Sequence, residues 1–176
     1  HWQDYTASLA SMLRSIKPEL VVLLGAMLTD TPHTRPVPVS GSADSPELSE
    51  ELGLELSTYE GPTGILGVIS SECGRLRIPA VSLWASVPHY VAEPPNPTAT
   101  LALLSALEDV LNVPLDSGDL AEAANAWVEQ VNDLVADDPD IAGYVSSLEE
   151  RRDEASLDPN GESIAAEFER YLRRRN

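Results

Sequence analysis

The sequence predicts an α/β fold, a mainly parallel sheet carried under helices, with a helical C-terminal region. Two observations carry this. Three short apolar runs bounded by breakers, Leu20 to Leu28, Gly64 to Ser70 and Ala80 to Val87, lack the polar alternation of half-exposed strands. Strands of that kind are buried on both faces, the usual condition of a parallel sheet. The second half of the chain, in contrast, repeats apolar residues at helical spacing behind recognisable caps. A sheet domain over residues 1–115 and a helical region over 116–176 follow from that change.

Taken in order, Trp2, Tyr5, Leu9, Met12, Leu13 and Ile16 share one face of an opening helix. Because the chain opens on His1 inside that helix, further residues, and further strands, are expected before it. After the first strand run comes a polar stretch, Ser40 to Ser49, with a short helix from about Pro46 to Leu52 closed by Gly53. Tyr59 to Gly64 reads as a glycine-bearing turn entering the second strand run. Asn96 followed by Pro97 is a cap plus first-turn proline and predicts a helix to about Leu111, with Leu101, Leu104 and Leu107 on its buried stripe. A helix from Asp116 or Ser117 carries Leu120, Ala124, Trp127, Val131 and Leu134. Asp138-Pro139 starts the next, through Ile141, Tyr144, Val145 and Leu148, and a last one is expected from about Glu162 to Arg174.

Composition removes several classes of function. Eleven Lys and Arg against 29 Asp and Glu give a formal charge of -18, which repels a phosphate backbone and an anionic membrane surface alike. The longest apolar run is too short to span a bilayer. One cysteine, Cys73, rules out an internal disulfide and multi-cysteine zinc sites and suits a reducing, cytoplasmic setting. Neither Gly-x-Gly-x-x-Gly nor a glycine-rich loop ending in Gly-Lys-Ser/Thr occurs, and no His pair stands at helical spacing, so neither cofactor nor metal is expected. Ser70 to Gly74 could present a nucleophile at a strand-to-helix turn, but it lacks the Gly-x-Ser-x-Gly elbow. Cys73 therefore reads better as a small buried apolar residue.

Where chemistry could reside is set by the strand ends, because ligands of open α/β sheets bind outside the carboxyl ends of the strands. Thr31-Pro32-His33-Thr34-Arg35-Pro36 and Pro88-His89-Tyr90 follow the first and third runs. His33 and Arg35, two apart in an extended segment, would project together, the guanidinium offering a fork for an anion and the imidazole a tunable proton. The same residues can equally make a structural turn with Arg35 paired to one of the many acids. His89 is alone in its segment, beside Tyr90, and gains meaning only if it meets His33. The candidate ligand-binding set is His33, Arg35, His89, Tyr90 and Glu60, with no catalytic residue assigned. The acidic helical faces and the mixed run Glu149 to Glu154 read as solvated surface.

Pro32-His33-Thr34-Arg35-Pro36 after an apolar strand, Tyr59 to Ile65, Pro79 to Tyr90 and Asn96-Pro97, in that order, resemble the actinobacterial branch of the proteasome-assembly-chaperone-type proteins. Gly161-Glu162-Ser163 and Phe168 to Leu172 fit the last helix of that family. The resemblance implies a three-layer αβα fold similar to nucleoside phosphorylases, with additional N-terminal strands, and implies no known activity. Distant relatives dock on proteasomes through a hydrophobic-Tyr-x ending, whereas this chain ends Arg-Arg-Arg-Asn. The expected function is thus non-enzymatic binding or assembly, with a protein partner. The alternative is an anion-binding protein or enzyme with a phosphorylase-like crevice at His33, Arg35 and His89. A homo-oligomer is expected, a trimer by analogy to trimeric phosphorylase-like folds, since Trp2, Trp84 and Trp127 suggest apolar surface beyond what one small sheet covers.

Overall fold

A computed structural model describes residues 2–56 and 64–157. Its elements are α1 (Trp2–Ile16), β1 (Val21–Thr29), β2 (Val39–Ala43), α2 (Pro46–Leu52), β3 (Glu55–Leu56), α3 (Ile65–Leu76), β4 (Ala80–Pro88), a 3-10 turn at His89–Val91, α4 (Pro97–Leu111), α5 (Leu120–Ala136) and α6 (Pro139–Leu157). The sheet runs β1-β4-β2-β3, with β1 parallel to β4, β2 antiparallel to β4, and β3 parallel to β2. Two of the three pairings are parallel, and the antiparallel pairing of β2 with β4 makes the sheet mixed.

Alternation along β4 makes the three layers. Val81 and Leu83, with Ala43 of β2, pack under α2 and α4 through Leu48, Leu52, Leu103 and Leu107, and Ala85 and Val87 continue that face against Ala99 and Leu103 of α4. Ala80 faces the other way, against Cys73 of α3 and Leu13 of α1. Helices therefore cover both faces of a sheet whose long central strand is β4.

The signals at Gly53, Asn96 and Asp138 are met, and Ser45 adds a cap that the sequence reading did not name. Ser45 accepts from the Leu48 N–H at 3.2 Å to start α2, and Gly53 closes it in the left-handed region at φ 62°. Asn96 Oδ1 accepts from the Ala99 N–H at 2.9 Å at the head of α4, and Asp138 Oδ1 from the Asp140 N–H at 3.0 Å at the head of α6. α5 starts later than expected because Asp116 Oδ1 accepts from the Gly118 N–H at 2.9 Å, closing a turn around a glycine at φ 50°.

Three expectations are overturned. The run Gly64 to Ser70 is the start of helix α3, not a strand. Its apolar residues recur at 65, 69, 73 and 76, a helical period that a run of β-branched residues concealed. Ser70 to Gly74 is consequently helix interior, and Cys73 is fully buried. β2, lying partly in the stretch read as polar, is a strand without bulky side chains. It forms because Gly41 gives Leu83 and Leu54 room: a Cβ there would stand 3.1 Å and 2.6 Å from their methyls. Third, β1 is not buried on both faces. It ends the sheet among the described residues, and Leu24, Met27 and Leu28 are exposed. The stripe of α1 is likewise rotated: Ala10 and Leu13 are buried while Tyr5, Met12 and Ile16 are exposed.

Gly25 of β1 lies opposite Trp84 of β4. A Cβ on Gly25 would stand 2.6 Å and 2.7 Å from the Trp84 ring and 2.9 Å from a Leu66 methyl. Trp84 thus fills a notch in the sheet. Gly25→Ala should cost about 1–3 kcal/mol through overpacking, outweighing the stiffer unfolded chain. Urea unfolding checks this, and an unchanged or raised midpoint would show that the notch is slack.

Candidate functional site

β1 and β4 are adjacent and parallel, with Thr29 paired to Pro88, so their carboxyl ends open side by side. The segments after them meet. Pro32 and His33 are buried, and residues 33–35 form a turn rather than an extended stretch. This turn sends His33 and Arg35 in different directions. His33 faces inward to Tyr90: its backbone N–H donates to the Tyr90 hydroxyl at 2.9 Å, and its Nδ1 lies 2.8 Å from the same oxygen. Its Nε2 lies 3.0 Å from Asn132 Oδ1 on α5. With that oxygen as acceptor, Nε2 carries the proton and Nδ1 accepts from the tyrosine O–H, which is the neutral ring.

Burial lowers the His33 pKa, against the Asn132 hydrogen bond and the Glu149 charge, which raise it. Burial likewise raises the Tyr90 phenol. Both groups are held neutral, each serving the other as hydrogen-bond partner.

His89 joins the same cluster from outside. Its ring meets Tyr90 edge-on at 5.9 Å and Tyr144 of α6 at 5.5 Å, and its Nδ1 lies 3.4 Å from Asp30. Tyr90 and Tyr144 themselves pack edge-on at 6.2 Å. Desolvation, then Asp30, pushes the Tyr144 hydroxyl up. Of the candidate residues, then, His33, Tyr90 and His89 converge. Glu60 lies outside the described residues.

Arg35 turns toward α6. Its Nε and Nη2 donate to the two carboxylate oxygens of Asp153, each at 2.8 Å, and Nη1 reaches Glu149 at 3.3 Å. Thr34 Oγ1 donates to the same Glu149 oxygen. The hydrogen bond to Asp153 holds the Arg35 pKa above its ordinary value and the Asp153 carboxyl below its own. The fork that could have gripped a ligand grips two side chains of the protein. Between α4, α5 and the turn, a groove of about 410 Å³ reaches His33 and Arg35, but is walled mainly by Leu101, Ala102, Ala124 and Val128.

What sequence reasoning missed is the second set of partners: Asn132, Tyr144, Glu149 and Asp153. Glu149 and Asp153 stand four apart on one helix face, a spacing that suits joint capture of a guanidinium. Inside an acidic run they look like any solvated pair. Asn132 next to buried Val131 carried no signal at all. The thiol of Cys73, pushed up by burial, is not poised as a nucleophile.

The ties from Arg35 to Asp153 are exposed and those from Thr34 and Arg35 to Glu149 half-buried at the surface, and surface pairs add little to global stability. Arg35→Ala should leave the thermal midpoint nearly unchanged. Trypsin should nonetheless cut at Arg151 and Arg152 several-fold sooner, because α6 opens locally. Unchanged cleavage would mean that Val145 and Leu148, both buried, hold α6 without help.

The fold is that of a three-layer α/β protein with its polar clusters gathered at the carboxyl ends of two parallel strands. Residues 1–135 match the PAC2 family, and the chain belongs to it. It is similar to a PAC2 family protein from Streptomyces avermitilis, with 50% identity and a TM-score of 0.74, over 82% of this chain and 61% of that one. A proteasome-assembly chaperone homologue from Mycobacterium tuberculosis is 48% identical, with a TM-score of 0.70 and the same coverage. PbaA of Pyrococcus furiosus, an archaeal homolog of proteasome-assembly chaperone, shares the fold at 20% identity and a TM-score of 0.58, over 76% of this chain and 60% of that one. The chain thus spans about three fifths of the length of these relatives. No curated protein matches it. No helix among the described residues is long and apolar enough to cross a membrane.

Proposed function

We propose that this chain is part of a non-enzymatic, cytoplasmic assembly factor that binds protein subunits and promotes their association, with proteasome subunits as the first clients to test. Membership of the PAC2 family carries the reading, supported by the name of the 48%-identical relative. The geometry agrees with it. Arg35 is engaged by Asp153 and Glu149, and His33 by Tyr90 and Asn132, as expected of residues that shape a surface. That engagement weighs against a phosphorylase-like crevice built on Arg35. Leu24, Met27 and Leu28 on β1 supply exposed apolar surface of the kind that protein contacts cover.

The deciding experiment mixes the full-length protein with separately purified proteasome α and β subunits from the same organism and follows ring formation by native mass spectrometry. A transient complex and faster ring formation are expected. Neither a complex nor a rate change at micromolar concentration would end the proteasome reading. We also propose that the full-length protein is a homo-oligomer, with a trimer as the expected state; a monomer mass by light scattering would refute it.

A further inference from the structure

One apolar stripe in the sequence has no place in the layers described above. Ile164, Phe168, Tyr171 and Leu172 share one face of the helix expected from about Glu162 to Arg174, which lies outside the described residues. Four of the chain's 11 basic residues, Arg170, Arg173, Arg174 and Arg175, gather at the far end of that segment. A strongly acidic chain thus carries one basic, amphipathic stretch.

The groove between α4 and α5 has the complementary character. It measures about 410 Å³, and its apolar walls are Leu101 and Ala102 of α4 and Ala124 and Val128 of α5. Leu101, Ala102 and Val128 are part-exposed, so apolar surface stands open without any hydrogen-bonding group having to be released. The rim is acidic. Glu122 and Glu129 are exposed and stand three before and four after Asn125, a lining residue, so the three share one ridge of α5.

Length, reach and charge order all agree. Along α4 the groove runs from Thr98 to Ser105, about 10 Å of helix, and Ile164 to Tyr171 is the same seven-residue step. Asp153 of α6 holds Arg35 at one end of the groove. α6 stops at Leu157, about 6 Å further on, and residues 158–161 can span about 13 Å. α4 descends from the carboxyl edge of the sheet and α5 returns to it, where Asn132 meets His33. A segment entering beside Arg35 therefore brings its arginines to the level of Glu122. We propose that residues 162–174 dock as an amphipathic helix in the α4–α5 groove of their own chain. Ile164, Phe168 and Tyr171 lie on the apolar walls, at the i, i+4, i+7 spacing of a helix in a groove, and Arg173 and Arg174 lie beside Glu122. The tether gives the segment an effective concentration of roughly millimolar, which favours its own groove over that of a second copy at micromolar protein. This docking does not depend on the assembly role, and either can fail without the other.

Hydrogen exchange on the whole chain tests this at the amides of residues 164–172. They should exchange about tenfold or more slower than in a free peptide of residues 161–176. Leu101→Glu and Phe168→Glu should each abolish the difference. Glu122→Arg, at an exposed position of α5, should weaken the protection, and adding Arg173→Glu and Arg174→Glu to that variant should restore it. In a second measurement, the labelled peptide should bind the Phe168→Glu chain saturably by fluorescence anisotropy. It should bind the unmodified chain about tenfold or more weakly, because the groove there already holds its own segment. Protection untouched by Leu101→Glu, or charge reversal without rescue, would overturn the groove as the seat. Protection that rises with protein concentration would give the segment to a second copy and refute docking within one chain. Protection that appears only when proteasome subunits are added would refute it as well.

Discussion

Leu83→Ala should lower the unfolding free energy by about 2–5 kcal/mol, in the upper part of that range. Leu83 is 2% exposed and stands at the middle of β4, paired with Leu24 on one side and with Gly41 on the other. Removing its branched end empties a space bounded by the backbone of β2 and by α4. Gly41 has no side chain to move in, and Val81, Ala43 and the α4 leucines are each held by their own packing. A site that cannot collapse keeps the full cavity, and the cost rises with the residual volume. Leu24→Ala, an exposed position on the neighbouring strand, is the natural control and should change stability far less. Urea titrations with an unchanged slope would show the effect in the midpoint alone. A loss below about 1 kcal/mol would mean that β2 closes onto β4 and that the notch at Gly41 is not rigid.

That pair of residues also shows where the sequence was legible. β4 declared itself because it is central: Val81, Leu83, Ala85 and Val87 are apolar since a helix covers them. β2 did not, because its contribution is backbone pairing and the absence of a side chain at Gly41, neither of which leaves a hydrophobic pattern. α3 was misread because Ile65, Val68 and Ile69 favour strands locally, while the helix is decided by Cys73 and Leu76 further on, packing with Ile69. Caps fared best: Gly53, Asn96 and Asp138 act within a few residues, so sequence holds all the information. The candidate site divides in the same way. The segments carrying His33 and Tyr90 were found because strand ends can be located, whereas Asn132 and Asp153 lie about a hundred residues away in sequence and reach them only through the packing of α5 and α6.

Tyr90→Phe should cost about 1–3 kcal/mol although it removes a single oxygen, because that oxygen serves two buried partners. Without it the His33 N–H has no acceptor and Nδ1 has no donor, and neither can turn to water while His33 stays 5% exposed. The same geometry sets a pH response. The folded pKa of His33 lies below its ordinary 6.5, chiefly through burial. As pH falls through about 6.5, therefore, the unfolded chain takes up the proton first. Stability from this residue is complete above 6.5 and is lost as pH falls from there toward the depressed folded value. A proton on Nδ1 would also confront the Tyr90 oxygen with two donors, forcing its own hydrogen elsewhere. Acidification meanwhile relieves the self-repulsion of a chain at -18, an effect of opposite sign. The measurement is accordingly a difference: unfolding free energies of the unmodified protein and of His33→Gln between pH 7.5 and 5. The unmodified protein should lose ground relative to the variant as pH drops. Parallel curves would show that His33 is as easily charged in the folded protein as in the unfolded chain, and that its burial beside Tyr90 and Asn132 exerts no net preference for the neutral ring.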